Sequence, residues 1–338
     1  MSAAPLRRPR IVSGTGSVAG AQRANAASTG RVCRPTRTTK KTLIAVPPPL
    51  HRSLHSRPRG PDSGLIAKMD DGVMYRRVEP LRPPAAYIGG KKQLAKAVIA
   101  EIDRVAHETY AEPFVGMGGV FFRRDRAAKS EVINDRSGDV AGLFRVLQRH
   151  YVAFVEMLRW QVSSRREFER LTATDPATLT DLERAARFLY VQRLAFGGKV
   201  AGRSFGVDPR SSARFDVTKI VPMLEELHER LSGVVIESLD WPDFIRRYDR
   251  PGTLFYLDPP YHGSERDYGP GFERADFVRM AEVLGALQGR FILSINDVPD
   301  IRRAFAGFRI KPVGVTYTVS AGPARRAREL IISGGKTG

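Results

Sequence analysis

Cysteine, acidic residues and long apolar runs are scarce in this sequence, and each shortage excludes a class of protein. Cys33 is the one cysteine among 338 residues, so the chain has no disulfide framework and no Cys/His cluster with zinc-binding spacing. A chain of this kind is typical of a reducing compartment, and we expect the cytoplasm. No apolar run approaches the roughly 20 residues that a membrane-spanning helix requires. The sequence therefore excludes a secreted disulfide scaffold, a zinc-binding module and a transmembrane protein.

The shortage of acids leaves a strongly basic chain. Lys and Arg number 55 against 36 Asp and Glu, which gives a formal net charge of +19 at pH 7. Such an excess indicates a polyanionic partner, and nucleic acid is the first candidate. A basic protein without such a partner is the alternative. Hydrophobic residues make up 42% of the chain, which is enough for a sizeable core.

The first 73 residues differ from the rest in composition. Met1–Val73 contains thirteen Lys or Arg and three Asp, is rich in Ser, Thr, Pro and Ala, and has no apolar periodicity. This composition predicts a disordered basic segment. Two alternatives stay open. An Arg- and Ser-rich, acid-poor N-terminus also resembles an organellar transit peptide, and translation starting at Met69 or Met74 would leave the segment outside the protein.

From Tyr87 onward, apolar runs that read as strands alternate with helical patterns. The runs lie at 109–115, 131–135, 234–240, 253–258, 291–297 and 329–334. Strands alternating with helices predict an α/β fold with a mostly parallel sheet covered on both faces. Asp135, Asp240 and Asp258 each end one of these runs. In such sheets ligands bind beyond the carboxyl ends of the strands, so these acids should meet in one crevice.

A glycine-rich turn, EPFVGMGG at 112–119, follows the first of these strands. Gly116 and Gly118 let the backbone approach a ligand closely, and the next helix offers free amides. A plain tight turn is the alternative. Asp135 ends the second strand, where an acid can bind both hydroxyls of a ribose or can cap the following helix. The spacing is not the G-x-G-x-x-G of dinucleotide enzymes, which disfavours a nicotinamide oxidoreductase.

The tetrapeptide DPPY at 258–261 follows a fully apolar run. Its prolines fix two φ angles and remove two backbone donors, so carbonyl groups are held ready to accept hydrogen bonds. Asp258 and the carbonyl of Pro259 can accept both N–H groups of an exocyclic amine on a nucleobase, and Tyr261 offers a flat face for stacking. The alternative is a strand followed by a turn, with Asp258 as a cap. A base inside a duplex is out of reach, so the base must be flipped out.

Together these motifs resemble those of the D12 class, or Dam-type, DNA adenine-N6 methyltransferases, which use S-adenosylmethionine. The resemblance runs from about Leu81 to Ser333 and keeps the family's motif order: YIGGK (87–91), EPFVGMGG (112–119), IND (133–135), LYVQRLAFGGKVAGRSFGVDP (189–209), DPPY (258–261) and ILSIND (292–297). It implies a Rossmann-like, class I methyltransferase fold and S-adenosylmethionine as cofactor. It also implies double-stranded DNA as substrate, and association with the nucleoid through that DNA.

The resemblance assigns roles to residues and to parts of the chain. The catalytic residues it implies are Asp258, Pro259, Pro260 and Tyr261. The cofactor-binding residues it implies are Tyr87, Lys91, Phe114, Gly116, Gly118, Asp135 and Asp240. It implies no metal. The catalytic domain would comprise residues 74–149 and 233–338, with a helical target-recognition insertion at 150–232. Within the insertion, Lys199 and Arg203 lie in a glycine-rich loop where they can reach DNA phosphates or bases, and a solvated surface loop with two charges is the alternative.

The sequence departs from the family's pattern in places. The first 70 or so residues have no counterpart in the family's usual core, and Tyr87 stands where many relatives have Trp. SLDWPDF (238–244) matches the family only loosely, which bears on the role of Asp240. Two rivals stay open: a methyltransferase acting on RNA or on another exocyclic amine, and an inactive relative that binds nucleic acid.

Overall fold

Buried strands and amphipathic helices alternate through most of the part of the chain that the structure describes. This computed structural model describes residues 66–68, 74–89, 91, 93–206, 212–265, 272–317 and 325–336. The strands are β1 (Ile66–Lys68), β2 (Met74–Arg77), β3 (Thr109–Glu112), β4 (Arg126–Ala127), β5 (Ser130–Asn134), β6 (Val235–Glu237), β7 (Thr253–Leu257), β8 (Arg290–Asn296), β9 (Arg309–Tyr317) and β10 (Arg325–Gly335). The helices are α1 (Ala95–Ile102), α2 (Gly138–Arg149), α3 (Tyr151–Leu158), α4 (Arg165–Ala173), α5 (Asp181–Leu194), α6 (Val217–Leu231), α7 (Trp241–Tyr248), α8 (Ala275–Gly285) and α9 (Pro299–Ala304).

Seven of these strands form the central sheet, in the order β6-β5-β3-β7-β8-β10-β9. Neighbours from β6 to β8 pair in parallel. Strand β10 runs antiparallel to both β8 and β9. The predicted α/β fold with a mostly parallel, Rossmann-like sheet is therefore confirmed.

Both faces of the sheet are covered, and the side chains of β7 show why its sequence is a continuous apolar run. Leu254 and Tyr256 pack into the core formed with α1, α2, α5 and α6. Phe255 and Leu257 point to the other face, into the core formed with α7, α8 and α9. A central parallel strand is apolar at every position because it has no face toward water. Each such side chain contributes about 1.5–3 kcal/mol through burial.

The strand order reverses at β3, and this reversal determines where the site lies. From β3 the chain proceeds through β5 to β6 on one side, while β7 and β8 lie on the other. The carboxyl ends of β3, β5 and β7 lead directly into Pro113, Asp135 and Asp258. A crevice at such a switch point is where open α/β sheets bind ligands.

The described residues between 150 and 232 are mostly helical, as the sequence predicts, apart from the loop after α5. Thr180 and Glu183 form a capping box at the start of α5, each accepting a hydrogen bond from the other's backbone N–H, which satisfies two amides left free by helix geometry. Helix α6 is joined to the sheet by Arg230, whose guanidinium donates to both carboxylate oxygens of buried Glu131 at 2.6 and 3.0 Å. The assignment of these helices to target recognition stays a prediction.

Four strands were not foreseen. Strands β1, β2 and β4 form a separate three-stranded sheet, and β9 lies at the edge of the large one. Strand β1 lies inside the segment predicted to be disordered, where Ile66–Lys68 pairs antiparallel with Met74–Arg76. The remaining residues of 1–73 lie outside the described part of the chain. No helix in the described part is long and apolar enough to cross a membrane.

Candidate functional site

A cleft of about 2200 Å³ opens at the carboxyl ends of the central strands. It brings together most of the residues that the sequence singled out. The predicted site residues that line it are Tyr87, Lys91, Phe114, Gly116, Asp135, Asp258 and Pro260. Leu239, Trp241 and Phe272 add apolar and aromatic surface. A concave site of this size that combines aromatic surface with charged side chains is a candidate cofactor or substrate site.

The glycine turn after β3 is shaped by two residues with left-handed backbone angles. Gly116 has φ 50° and Gly118 has φ 73°. A Cβ at Gly118 would lie 2.3 Å from the Phe122 ring, and a Cβ at Gly116 would lie 3.2 Å from the Tyr87 ring. Glycine is therefore required for both backbone angle and space. The turn leaves Tyr87 resting directly on the backbone at Gly116.

Asp135 is tied to this turn from the neighbouring strand. Its Oδ2 accepts the Gly116 N–H at 2.9 Å, and its Oδ1 accepts the Ser137 N–H at 2.8 Å. Burial raises the pKa of Asp135 to about 6, against the two backbone hydrogen bonds that lower it. Ser137, not Asp135, is the N-cap residue of α2. Asp135 thus braces the glycine turn while its carboxylate lines the cleft.

Asp258 carries the second carboxylate of the cleft. Its Oδ1 lies 2.8 Å from the Lys91 ammonium and accepts a hydrogen bond from Ser294 Oγ at 3.2 Å. Neither contact occupies Oδ2, and about a fifth (21%) of the side chain is exposed. Burial raises the pKa of Asp258 to about 6; Lys91 lowers the pKa and Glu329 raises it. The residue can therefore accept a hydrogen bond from a group that enters the cleft.

Two charged residues, Lys91 and Glu329, hold the side chain of Tyr261. Its hydroxyl accepts a hydrogen bond from Lys91 Nζ at 2.7 Å and donates one to Glu329 Oε1 at 2.5 Å. The Lys91 ammonium also lies 4.2 Å from the centre of the Tyr261 ring. Lys91 is almost fully buried. The structure therefore places the Lys91 ammonium against the DPPY motif, whereas the resemblance assigns Lys91 to the cofactor.

Strand β8, which carries the ILSIND motif, supports the DPPY loop. Asn296 exchanges two hydrogen bonds with the backbone of His262, both at 3.0 Å. Ser294 lies between Asp258 and the Tyr256 hydroxyl, which is 2.8 Å from Ser294 Oγ. Pro259 and Pro260 are buried between these contacts. The DPPY loop is thus fixed at Asp258 and at His262, the residue after Tyr261.

The two remaining cofactor candidates occupy different positions. Phe114 is half-buried at the cleft and meets Phe272 edge to face, with ring centres 5.9 Å apart. Asp240 is the N-cap residue that precedes α7 and is exposed, and its carboxylate pairs with Arg136 at 2.9 Å. Leu239 and Trp241, on either side of Asp240, line the cleft. Asp240 therefore lies at the rim, and its role stays a prediction.

The loop after α5 contacts the YIGGK segment directly. The backbone N–H of Ile88 donates to the carbonyl of Gly198 at 2.9 Å. Gln192, which is fully buried, donates from its amide to the carbonyls of Ala86 and Gly198, each at 2.9 Å. An antiparallel bridge between Ala195 and Phe205 closes the loop. The helical region is therefore joined to the segment that carries Tyr87.

The two predicted DNA-contact residues lie in this loop but differ in exposure. Lys199 is exposed, whereas Arg203 is half-buried. The Arg203 guanidinium donates to Gln192 Oε1 at 3.2 Å and to the Lys199 carbonyl at 3.3 Å, and lies 5.8 Å from the Phe188 ring centre. Arg203 therefore also holds the loop, a role that its sequence position did not suggest.

Three residues of the site were not singled out from the sequence. Ser294 and Glu329 contact the DPPY motif, and Gln192 holds the loop after α5. Ser294 lies within the recognised ILSIND motif, so the motif itself was a signal. Glu329 also had one, since it is an acid at the head of the apolar run ELIISG. Gln192 lies within the motif at 189–209, but its neighbours on α5 are buried on every side, and nothing in the motif distinguished it from them.

The residues present fit an adenosine-bearing methyl donor. A side chain at Gly116 or Gly118 would fill the turn or strike a ring, so the turn keeps its backbone accessible. Beside it are a carboxylate, Asp135, suited to hydroxyl groups, and an aromatic surface at Phe114. Among the described residues, no group of three or more His, Cys, Asp or Glu side chains could hold a metal ion.

The sequence matches a family model and is similar to several known methyltransferases. Residues 87–319 match the family model described as D12 class N6 adenine-specific DNA methyltransferase. The type II methyltransferase M1.LlaDCHI of Lactococcus lactis subsp. cremoris is 27% identical over 277 residues, covering 75% of this chain and 95% of that protein. The type II methyltransferase M.CviBI of Paramecium bursaria Chlorella virus NC1A is 21% identical over 231 residues, covering 68% and 88%. Among solved structures, the rRNA methyltransferase aviRa of Streptomyces viridochromogenes aligns with a TM-score of 0.31 and 11% identity, covering 75% of this chain and 86% of that one.

Proposed function

The chain belongs to the D12 class N6 adenine-specific DNA methyltransferase family and is an enzyme that methylates adenine N6 in DNA, and we propose that its cleft binds S-adenosylmethionine beside the flipped target base. The family and the fold imply S-adenosylmethionine as methyl donor. The proposed cofactor contacts are the glycine turn, Asp135, Phe114 and Tyr87. The observation that supports this most is the position of Asp258 in the same cleft as that turn.

Asp258 acts on the amine of the target adenine. The amine is a poor nucleophile because its lone pair is delocalised into the ring. When the Asp258 carboxylate and the carbonyl of Pro259 accept its two N–H groups, the lone pair is localised and directed along one line. When bound, S-adenosylmethionine would supply an electrophilic methyl group, with the electron pair of the broken C–S bond left on its sulfur. Positioning of this kind supplies much of the rate.

The proton that N6 loses needs an acceptor, and Asp258 is suited to the task. Its pKa, raised to about 6 chiefly by burial, leaves it ionised at neutral pH but more basic than an ordinary aspartate. A general base works best when its pKa lies near the working pH. Lys91, at 2.8 Å, keeps the carboxylate in place. The proton can then pass to solvent through the exposed part of the side chain.

Tyr261 is proposed to support the flipped base. Unstacking a base costs a few kcal/mol, and stacking on an aromatic side chain returns about 1–3 kcal/mol. One face of the Tyr261 ring has the Lys91 ammonium above it, so the base would stack on the other. The hydrogen bonds of the Tyr261 hydroxyl fix the ring before the base arrives.

Double-stranded DNA is proposed to lie across the loop after α5. Lys199 is exposed there and can reach a phosphate. Arg203 can read a base only by leaving its bonds to Gln192 and the Lys199 carbonyl. A phosphate contact weakens binding equally on all sequences, whereas a base contact changes sequence preference by about 1–3 kcal/mol. The helices at 150–232 would then form the target-recognition insertion.

The decisive experiment is to express the protein in cells that lack adenine methylation and to sequence their plasmid DNA with detection of modified bases. We expect N6-methyladenine at a defined sequence in cells with the wild-type protein. With Asp258→Ala we expect none, while calorimetry shows nearly unchanged affinity for S-adenosylmethionine, because Asp258 faces the base. Methylation of RNA but not DNA would contradict the proposal, as would near-normal turnover by Asp258→Ala.

A further inference from the structure

Glu329 is a buried acid that touches the catalytic motif from a strand at the far end of the chain. It lies on β10, opposite Asn296 of β8, and is 1% exposed. Its Oε1 accepts the Tyr261 hydroxyl at 2.5 Å, and its Oε2 lies 3.9 Å from the Lys91 ammonium. Glu329 thus contacts Tyr261 and Lys91 but does not itself line the cleft.

The packing of β10 does not by itself require an acid at position 329. The next three residues of β10, Leu330, Ile331 and Ile332, are fully buried and apolar. Burying a carboxylate costs free energy of folding unless close partners compensate for the lost hydration. Replacing a buried charged residue by an apolar residue of similar size often leaves the protein equally stable. The contacts of Glu329 include the Tyr261 hydroxyl and the Lys91 ammonium, both at the site. The acid is therefore directed at the site and not at the core.

Two carboxylates share one ammonium in this arrangement. Lys91 lies 2.8 Å from Asp258 Oδ1 and 3.9 Å from Glu329 Oε2, and the Tyr261 hydroxyl connects Lys91 to Glu329. If Lys91 faced Asp258 alone, the pair would be neutral, and Asp258 would be a weaker proton acceptor. With Glu329 present the group of three charges is net negative.

We propose that Glu329 is a positioning residue for methyl transfer, which fixes Tyr261 and holds the Lys91 ammonium between two carboxylates so that Asp258 stays an effective acceptor for the target amine. This inference rests on the proposed function of Asp258. As N6 takes the methyl group it becomes positively charged and then loses a proton. A net negative cluster stabilises that charge, and the less neutralised Asp258 accepts the proton more readily.

The titratable groups around Asp258 decide how the site responds to pH. Facing it are Lys91, Glu329, Tyr261, Tyr256 and Glu112. Burial raises the pKa of Glu112 to about 8, so Glu112 is mostly neutral at pH 7 and below. Burial also raises the pKa of Tyr256 far above its usual range, so Tyr256 stays neutral. Lys91 and Glu329 are then the two charges that set the acid strength of Asp258.

Glu329→Gln tests the proposal, because it keeps the shape and an acceptor for Tyr261 but removes the charge. With saturating S-adenosylmethionine and a duplex substrate, we expect kcat to fall at least about tenfold, as for a lost charge-assisted hydrogen bond. The acid limb of the kcat profile should move to lower pH, since losing a negative neighbour lowers the pKa of Asp258. The KM for S-adenosylmethionine should stay within about twofold, because Glu329 does not line the cleft.

A matched control is available at the other edge of the sheet. Glu237 on β6 accepts the Tyr248 hydroxyl at 2.7 Å, so Glu237→Gln alters the same kind of Tyr–Glu bond away from the DPPY motif. We expect it to leave kcat and the acid limb at their wild-type values. Equal effects of the two variants would overturn the proposal, as would a Glu329→Gln protein with wild-type kcat and an unmoved acid limb.

Glu329→Asp decides the matter if the Gln variant does not fold. It keeps the charge but withdraws the carboxylate from Tyr261, so we expect a lower kcat with the acid limb near its wild-type position. Wild-type kcat in Glu329→Asp would overturn the positioning role. The wild-type protein, assayed in parallel, separates this question from the proposed function. If it does not methylate adenine in duplex DNA, the function fails; if it does, only the role of Glu329 is at stake.

Discussion

At the scale of single residues, two carboxylates of the cleft share the same altered acidity for the same reason. Burial raises the pKa of both Asp135 and Asp258 to about 6. Their partners differ, because Asp135 is held by backbone amides and Asp258 by an ammonium and a hydroxyl. Groups with shifted pKa values cluster at functional sites. The same shift should therefore affect two different steps, cofactor binding and methyl transfer.

The pH dependence of the two steps can be separated by experiment. Asp258 acts as an ionised acceptor, so kcat with saturating S-adenosylmethionine should fall as pH drops through about 6. About half the enzyme should remain active at pH 6 and about a tenth at pH 5. Single-turnover methylation of a duplex between pH 5 and 9 measures this limb. Affinity for S-adenosylmethionine, measured by calorimetry, should weaken over the same range through Asp135. An acid limb of kcat near pH 4 would contradict the role given to Asp258.

The chemistry of the catalytic residues could be predicted from the sequence, but their contacts could not. Asp258 follows an apolar strand and precedes two prolines, a local pattern with a chemical meaning. Lys91 lies 167 positions before Asp258 in the sequence, and nothing along the chain shows that its ammonium reaches that carboxylate. Glu329 likewise meets Tyr261 only because β10 pairs antiparallel with β8. Such contacts depend on strand order, which local pattern does not determine.

At the scale of elements, the loop after α5 is fitted to the YIGGK segment by one glycine of a pair. Gly197 and Gly198 both have left-handed backbone angles, φ 66° and 68°. A Cβ at Gly197 would meet nothing within 4 Å. A Cβ at Gly198 would lie 2.9 Å from the Ala86 carbonyl carbon and from the Tyr87 nitrogen. An alanine at either position would therefore bear the same backbone strain, and the two variants would differ only in the atoms that the new Cβ meets.

This pair gives a matched test of the link between the helical region and the cofactor segment. Both Gly197→Ala and Gly198→Ala place a side chain in the left-handed region, at a cost of about 1–2 kcal/mol. Only Gly198→Ala should displace Tyr87, and we expect its affinity for S-adenosylmethionine to fall at least about tenfold, equivalent to roughly 1.4 kcal/mol. Gly197→Ala should change that affinity by less than about twofold. Calorimetry with both proteins checks the difference, and equal affinities would show that the contact does not position the cofactor site.

Elements also differ in how well sequence predicts them. Strands β3, β5, β6, β7, β8 and β10 coincide with runs that the sequence predicted to be strands. Strand β9 was not, because at the sheet edge most of its described side chains are exposed and its sequence contains Pro312 and Gly314, residues that edge strands tolerate but that read as loop. Strands β1, β2 and β4 have two to four residues each. Runs that short carry no periodicity to detect.

At the scale of the whole molecule, positive charge is spread over the chain and not confined to its start. Residues 1–65 contain twelve Lys or Arg and one Asp. The remainder still has a net positive charge, and arginines and a lysine line the cleft beyond the catalytic residues: Arg76, Arg77, Arg82, Arg123, Arg193, Arg214, Lys219 and Arg230. Each phosphate that a protein neutralises makes binding more sensitive to salt. The start of the chain and the cleft should therefore contribute separately to DNA affinity.

Two truncations separate charge from structure at the start of the chain. Removing residues 1–65 should leave Tm and kcat unchanged, because that stretch contains no catalytic motif, while binding to non-specific DNA weakens and its salt dependence falls.

Removing residues 1–73 also removes β1, which pairs with β2 at Ile66–Lys68, and β2 leads into the residues that line the cleft. We expect this second protein to melt lower, by about 2–4 °C for each kcal/mol lost. Calorimetric melting and binding titrations at several salt concentrations measure both effects. Equal Tm values for the two truncated proteins would mean that β1 adds nothing to stability, and loss of kcat in the first would assign residues 1–65 a part in methyl transfer.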